Sequence, residues 1–489
     1  MAKNKMTLEE KLEEAIIKDV PYKVPNNWIW SKIDSISTLV TGNTPSKKNV
    51  EYYGESVPFI KPNDLDQGRR LKTSIEMLSS LGAKKARILP KGTTAVCCIG
   101  SIGKLAYLEV EGATNQQINS IIPNRINSLY IYYYVLSEYF QRELVSNSSA
   151  TTISIINKSK MGELAVPIAP LKEQQRIVDK IESLFEKLDK AKELIEEARD
   201  NFEKRKSAIL EKAFNGELTK SWRYENNINV KSKIALDILA DKMGAKIKEL
   251  KDRGNIELGF FIPDQWEKCI LNDISSVDKD SLVDGPFGSN LKTCDYTEDG
   301  VRLIQLQNIG VGYWKDNSKK YISEEKSEEL SRCIALPGDI AIAKMAAPTA
   351  RATIIPNIEE KYVIVADCIK LSVDYRVSTK YIMYCINSPK INNIAEALGK
   401  GTTRKRINLG DLKKIPIPLP SLEEQKEIVR ILDKLLDDES KIEELTELEE
   451  QIELIKKSIL AKAFRGKLGT NCEEDESALD LLKEILSKE

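Results

Sequence analysis

The 489-residue sequence contains no histidine. That absence excludes Ser-His-Asp and Cys-His nucleophile activation, imidazole general-base chemistry and histidine-bearing zinc sites. No stretch approaches the ~18 apolar residues of a membrane-crossing helix. Met1 to Glu14 alternates charged and apolar residues and does not resemble a leader. A soluble, cytoplasmic protein is expected. The eight cysteines show no Cys-x-x-Cys spacing, the only close pair being Cys97–Cys98, so neither a zinc site nor a disulfide framework is indicated. A surplus of either charge is missing too: 74 basic and 75 acidic residues leave a net charge of −1, which by itself points to no partner.

Carboxylate and lysine chemistry survive these exclusions, but the chain has no Asn-Pro-Pro-Tyr methyltransferase tetrapeptide and no convincing Asp…Glu-x-Lys nuclease triplet. Gly100-Ser-Ile-Gly103-Lys104-Leu105 is the nearest thing to a phosphate loop. It fails at both ends, with Cys98 in place of the first glycine and Leu105 in place of the magnesium-holding Ser or Thr.

What the chain does have is a duplication. Its length suggests two to four domains of about 100–200 residues, and four landmarks occur twice in the same order. A Pro-x-x-Trp opening stands at Pro25–Trp28 and at Pro263–Trp266. An apolar strand-like segment follows, VPFIKPNDL from Val57 and VRLIQLQNI from Val301. Then come ATTISIIN from Ala150 and GTTRKRIN from Gly401. Last are LKEQQRIV from Leu171 and LEEQKEIV from Leu422, each leading into a long helix that ends in ILEKAFNGEL from Ile209 or ILAKAFRGKL from Ile459. Ala235-Leu-Asp-Ile-Leu239 follows the first long helix and Ala478-Leu-Asp-Leu-Leu482 the second, whereas the segment leading into the first Trp, Leu8 to Val20, lies at the chain's start. That permutation predicts a cyclic arrangement with the two chain ends together.

The long helices read as a pair. In the first, apolar steps of four and three place Ile177, Ile181, Leu184, Leu188, Ala191, Ile195, Ala198, Phe202 and Ile209 on one stripe, interrupted at Arg205. Glu182, Glu186, Lys190, Glu193 and Lys204 fill other faces. The second follows Ile428, Leu432, Leu435, Glu439, Ile442, Leu445, Leu448, Ile452, Ile455 and Ile459, where two consecutive steps of three predict a change of winding near Glu443–Glu444. Ser421 with Glu424 predicts a capping box, and Gly216 and Gly466 stand where left-handed stop residues belong. At ~1.5 Å per residue Leu171 to Phe214 would span about 65 Å. Antiparallel pairing within the chain is expected, with separate hairpins or homodimerisation as the alternative.

The two LxEQxxIV segments, their helices, the two K-A-F-x-G-x-L terminators and GELTKSWR from Gly216 to Arg223 resemble the specificity (S) subunits of Type I restriction-modification systems over nearly the whole chain. The resemblance implies an α+β protein: two globular target-recognition domains joined by two long antiparallel helices in a pseudo-two-fold, cyclic arrangement. It implies an N-terminal segment 1–20, recognition domain 21–166, helical spacer 167–222, linker 223–258, recognition domain 259–418, helical spacer 419–470 and tail 471–489. It also implies a non-catalytic subunit that binds a bipartite site in double-stranded DNA. Two methyltransferase subunits and two ATP-dependent restriction subunits would be its partners. S-adenosylmethionine, ATP and magnesium would sit on those partners, with no cofactor or metal on this chain. A coiled-coil scaffold for proteins and a stand-alone methyltransferase or nuclease are the alternatives; salt-dependent DNA binding separates the first.

On that reading, polar loop residues face base edges and cations face phosphates. In the first domain the candidates are Thr41, Asn43, Thr44, Lys47 and Lys48 of a turn-rich loop. Lys61, Asn63, Arg69 and Arg70 follow a strand, and Ser101, Lys104, Gln116 and Gln117 lie in later loops, with Asn115 beside them as either a contact or a turn former. In the second domain Ser289 and Asn290 replace the first loop, and Gln305, Gln307 and Asn308 replace the strand-end set. Lys344, Thr349 and Arg351 occupy the later loop. Lys400, Thr402, Thr403, Arg404, Lys405 and Arg406 form the densest cationic run, expected to touch phosphate. Its counterpart, Ala150 to Ile156, is uncharged.

Overall fold

The computed structural model describes residues 6–149, 154–243, 256–286, 290–345, 347–401, 405–436, 440–472 and 474–487. The chain forms two compact units, 1–196 with 446–489, and 197–445. The division falls inside the long helices, so each unit contains one recognition domain and parts of both spacers.

The same sheets occur in each unit. A two-stranded antiparallel ladder pairs Ile29–Lys32 with Ala165–Ile168 in the first and Glu267–Ile270 with Pro416–Leu419 in the second, joining the start of each recognition domain to its end. The main sheet of the first unit runs Ser37–Thr41, Ile118–Pro123, Thr94–Cys97, Leu105–Leu108, Arg70–Leu71; that of the second repeats the first four as Leu282–Asp284, Cys368–Leu371, Ile340–Ala343, Ala352–Ile354. A further sheet carries a parallel pair, Tyr53–Ile60 beside Gly112–Thr114 and Val301–Ile304 beside Tyr362–Ile364. The central strands of the main sheets are buried along their length, as the continuous apolar run of Ile340–Ala343 requires. The duplication read in the sequence is therefore a duplication of topology.

In the first unit the chain ends meet. Leu8–Ala15 packs on Ala478–Ser487, Lys11 Nζ donates to the Leu486 carbonyl at 3.0 Å, and Ala15, Leu482, Ile485 and Leu486 share one core with Trp28 and Trp30. The cyclic expectation holds there. In the second unit Ile234–Met243 supplies Ala235 and Ile238 to the core around Trp266.

The first spacer is one helix, Leu171–Phe214; the second is described as Leu422–Leu436 and Ser440–Ala463. Within the first unit Asp189 pairs with Lys456 at 2.8 Å and Lys192 with Glu453 at 3.8 Å, so numbers rise on one helix as they fall on the other: the pairing is antiparallel. Ile177 and Ile181 are fully buried, Leu184 and Leu188 pack on the same core, and Ile195 is half-buried. The second helix contributes Ile452, Ile459 and Ala463. The stripe departs from expectation at Ala198, Leu448 and Ile455. Ile455 is exposed, and half-buried Lys456 takes the inward place, 5.9 Å from the centre of the Phe185 ring and paired to Asp189. Steps of four and three from Ile452 through Lys456 to Ile459 restore ordinary spacing, which the apolar count missed because a lysine stem also covers apolar surface. Glu443–Glu444 lie inside the α-helix Ser440–Ala463. In the second unit Phe202, Ile209 and Leu210 meet Leu432 and Leu435 around a small gap that Arg205 and Lys206 also line, and Ile428 is buried. The side chains of Ile442 and Leu445 lie outside the described residues.

The capping box at Ser421 is only half made. Ser421 Oγ accepts from the Glu424 N–H at 3.3 Å, but the Glu424 carboxylate turns inward. It accepts from the Trp266 indole N–H at 3.0 Å, from the Thr219 hydroxyl at 2.6 Å and from Arg223. Glu173 does the same in the first unit, accepting from the Trp28 indole N–H at 2.7 Å, from Thr470 at 3.3 Å and from Asn471 at 3.1 Å. Each buried glutamate thus ties the Trp that opens a recognition domain, the start of one spacer helix and the segment after the end of the other. The glutamine that follows completes the join: Gln174 accepts from the Asn127 N–H and donates to the Ala169 carbonyl, and Gln425 repeats this with Ser378 and Pro420. The motif is repeated because the joint is repeated.

Candidate nucleic-acid interface

In each unit, loops far apart in sequence are drawn to one place by the same backbone hydrogen bonds. In the first, Gly42 N–H donates to Ile118 O, Cys98 to Gln117 O, Asn115 to Ile60 O and Ile156 to Cys98 O, at 2.8–3.2 Å. In the second, Gly285 donates to Cys368 O, Lys344 to Asp367 O, Val365 to Ile304 O and Ile407 to Lys344 O, at 2.8–3.1 Å. The loop after the first main strand, the end of the parallel strand, the loop after the Thr94 or Ile340 strand, the turn before the Ile118 or Cys368 strand and the paired residues Ser149 and Ile155 or Lys400 and Arg406 therefore converge. Glycine is needed at the first of these, since a Cβ at Gly42 would lie 2.2 Å from Thr114 O and one at Gly285 2.0 Å from Val365 O.

Several predicted residues meet in the first unit's cluster. Thr44 donates its hydroxyl proton to Gln116 Oε1 at 2.6 Å, Thr41 donates to Asn119 at 2.7 Å, and Asn43 donates to Lys85 O while accepting from the Arg87 N–H. Lys47, Lys48 and Gln116 are exposed. Asn115 is buried and shapes the turn, accepting from the Gln117 N–H and donating to its side chain. Ser101 and Asn63 are exposed, and Lys104 pairs with Asp66 at 2.6 Å. Lys61 pairs with Glu76. Sequence reasoning missed Lys84, Lys85 and Arg87, although three cations in four residues were a readable signal; Arg87 holds the Thr41 carbonyl at 2.6 Å.

Arg69 and Arg70 point elsewhere. Arg69 pairs with Asp189 and stacks 5.2 Å from the Phe185 ring centre, and Arg70 pairs with Glu182 and, at 3.0 Å, with Glu109. They fasten the recognition domain to the spacer helix, with Tyr133 donating to Glu182 at 2.9 Å. Tyr384 and Asp433 repeat that last bond at 2.7 Å in the second unit.

Three candidates of the second domain are internal and a fourth, Arg351, is half-buried. Asn308 is fully buried and donates to the Lys315 and Ser318 carbonyls. Lys344 is buried beside Asp284 at 3.3 Å, and Thr349 is buried. Arg351 donates to the Ile309, Leu306 and Met345 carbonyls, and burial lowers its proton affinity. Buried polar groups bonded to backbone shape loops and do not reach out to a ligand. Gln305 accepts from Ser318 at 2.6 Å, whereas Gln307, Asn290, Lys405 and Arg406 are exposed. Ser289, Thr402, Thr403 and Arg404 lie outside the described residues, as do residues 150–153 of the first Thr-Thr segment. Burial pushes the Cys98 and Cys368 thiols beneath these loops up to about 12, so both are protonated at neutral pH.

Residues 25–199 and 293–454 match the family described as the Type I restriction modification DNA specificity domain. The chain belongs to that family. It is 24% identical over 450 residues to the Type I restriction enzyme EcoBI specificity subunit of Escherichia coli, a match covering 91% of this chain and 87% of that one. To the MjaIX specificity subunit of Methanocaldococcus jannaschii it is 25% identical, covering 91% and 94%. The fold matches a chain solved under the description "Structural basis underlying complex assembly and conformational transition of the type I R-M system" with a TM-score of 0.64 at 18% identity, covering 91% of this chain and all of that one. Among the described residues no group of His, Cys, Asp and Glu could hold a metal ion, and no helix is long and apolar enough to cross a membrane.

Proposed function

We propose that the chain is the non-catalytic DNA reader of a Type I restriction-modification enzyme, each unit recognising one half of a bipartite target through its converged loop cluster. The observation that carries this reading is the paired set of backbone hydrogen bonds, which gathers polar loops of differing sequence at one corresponding place in two units of otherwise repeated structure. Constant joints with different loop chemistry are what two different half-sites require. Methyltransferase subunits carrying S-adenosylmethionine, and restriction subunits carrying ATP and magnesium, supply the chemistry, two of each. The helical spacer fixes the gap between half-sites.

Exchanging the second domain's clustered loops for those of a relative changes one half of the methylated motif and leaves the other half intact when the modified sites of the assembled enzyme are mapped. An unchanged motif, or loss of both halves, defeats the proposal. The lysines and arginines of the first domain give a sharper test. Replacing Lys47 and Lys48 by glutamine lowers the slope of log affinity against log salt by about 1 for each phosphate no longer neutralised. Arg69→Gln leaves that slope alone, because its guanidinium is occupied by Asp189.

A further inference from the structure

Arg406 and Asp367 occupy corresponding positions to Ile155 and Gln117, and only the second unit is ionic there. The correspondence is set by main-chain geometry. Arg406 exchanges both hydrogen bonds with Lys400 at 2.9 and 3.0 Å, as Ile155 does with Ser149 at 3.0 and 2.9 Å, and the next residue in each case donates to the carbonyl of Lys344 or Cys98. Asp367 and Gln117 are the residues whose carbonyls accept from those same two positions. The Arg406 backbone is thus fixed at the foot of its hairpin, bridged also to Met345.

Its guanidinium Nη2 lies 2.9 Å from Asp367 Oδ1, with the two side chains 44% and 35% exposed. A pair that wet contributes little to stability. What it does is hold a five-donor, acceptor-free planar group at one nitrogen, while the partly exposed side chain keeps further N–H donors for a ligand. In the major groove the base that offers two acceptors side by side, O6 and N7, is guanine.

We propose that Arg406, oriented by Asp367, reads a guanine in the half-site of the second unit. Asp367 is a positioning residue; Arg406 makes the contact. The inference rests on the DNA-reading role proposed above and names one base position within it. The first unit, with apolar Ile155 at that position, reads no guanine through this part of its cluster.

The test uses the complete enzyme assembled with R406Q, R406K or D367N chains, followed by mapping of methylated sites and of relative methylation at each single-base departure from the native motif. The native second half-site contains a guanine at which R406Q lowers discrimination by about 10- to 100-fold. D367N lowers it less, at the same position, and R406K retains part of it. The first half-site stays intact throughout. A second half-site without guanine, an R406Q motif identical to wild type, or an even loss of methylation at every site with no change of motif overturns the assignment; the last would make Arg406 a phosphate contact. None of these touches the reading role itself, which is defeated only if exchanging the whole loop cluster leaves the motif unchanged or destroys both halves. If R406Q does not assemble, D367N, which keeps an acceptor facing the guanidinium, decides: relaxation confined to that one guanine supports the proposal and an unaltered motif overturns it.

Discussion

Glu424→Ala destabilises the second unit by about 3–5 kcal/mol, the range for removing one member of a buried charged pair. The carboxylate is 1% and the Arg223 side chain 11% exposed, so its removal leaves a guanidinium without its counter-charge, and an indole N–H and a threonine hydroxyl proton without an acceptor. Glu424→Gln keeps an acceptor for Trp266 and loses only the charge, and it falls between wild type and alanine. Glu173→Ala is milder, about 1–3 kcal/mol, because the first joint is completed by Trp28, Thr470 and Asn471 with no arginine on the carboxylate. Denaturant unfolding of the full chain, followed by tryptophan fluorescence and circular dichroism, ranks the three. A Glu424→Ala loss below about 1 kcal/mol, no more than one ordinary hydrogen bond contributes, removes the basis for reading the carboxylate as the tie between these segments.

Gly466→Ala costs about 2–4 kcal/mol, the sum of a left-handed backbone penalty and a steric clash. Its φ is +66°, and a Cβ there would lie 2.2 Å from Pro25 Cγ and 2.5 Å from Cδ, atoms of a ring that cannot swing away. Pro25 begins the Pro-x-x-Trp opening, so the end of the second spacer helix is seated directly on the start of the first recognition domain. Gly469 is the internal control. Its φ is +73° with nothing within 4 Å of the hypothetical Cβ, so Gly469→Ala carries only the backbone cost, about 1–2 kcal/mol. Thermal unfolding of both variants separates the two costs: equal shifts would show that Pro25 yields, and that the seat is loose.

These two results bear on why the motifs are where they are. Pro25, Trp28, Glu173 and Gly466 are scattered through the sequence, and their counterparts Pro263, Trp266, Glu424 and Gly216 repeat the scatter. The repeat marks every one of these positions. It does not reveal their purpose: Glu424 reads as part of a helix cap because Ser421 stands three residues before it, and only burial beside Trp266 turns its carboxylate inward. A local hydrogen bond gives way to a tertiary one, because the buried indole and guanidinium need that acceptor.

The sequence alone determined the duplication, the helical stripes, the return of the chain's end to its beginning and the family, since each depends on order and period, which are properties of the linear chain. The three-dimensional packing decided which polar residues are available. Arg69 and Arg70 are taken up by spacer carboxylates, Asn308, Lys344 and Thr349 are buried, and Arg351 is spent on loop carbonyls, while Lys85, Arg87 and Asp367 come to the loop clusters. A charged or amide side chain has the same character in a sequence whether it faces water or a carbonyl. Which of the two it meets depends on residues tens to hundreds of positions away, and folding alone brings those together.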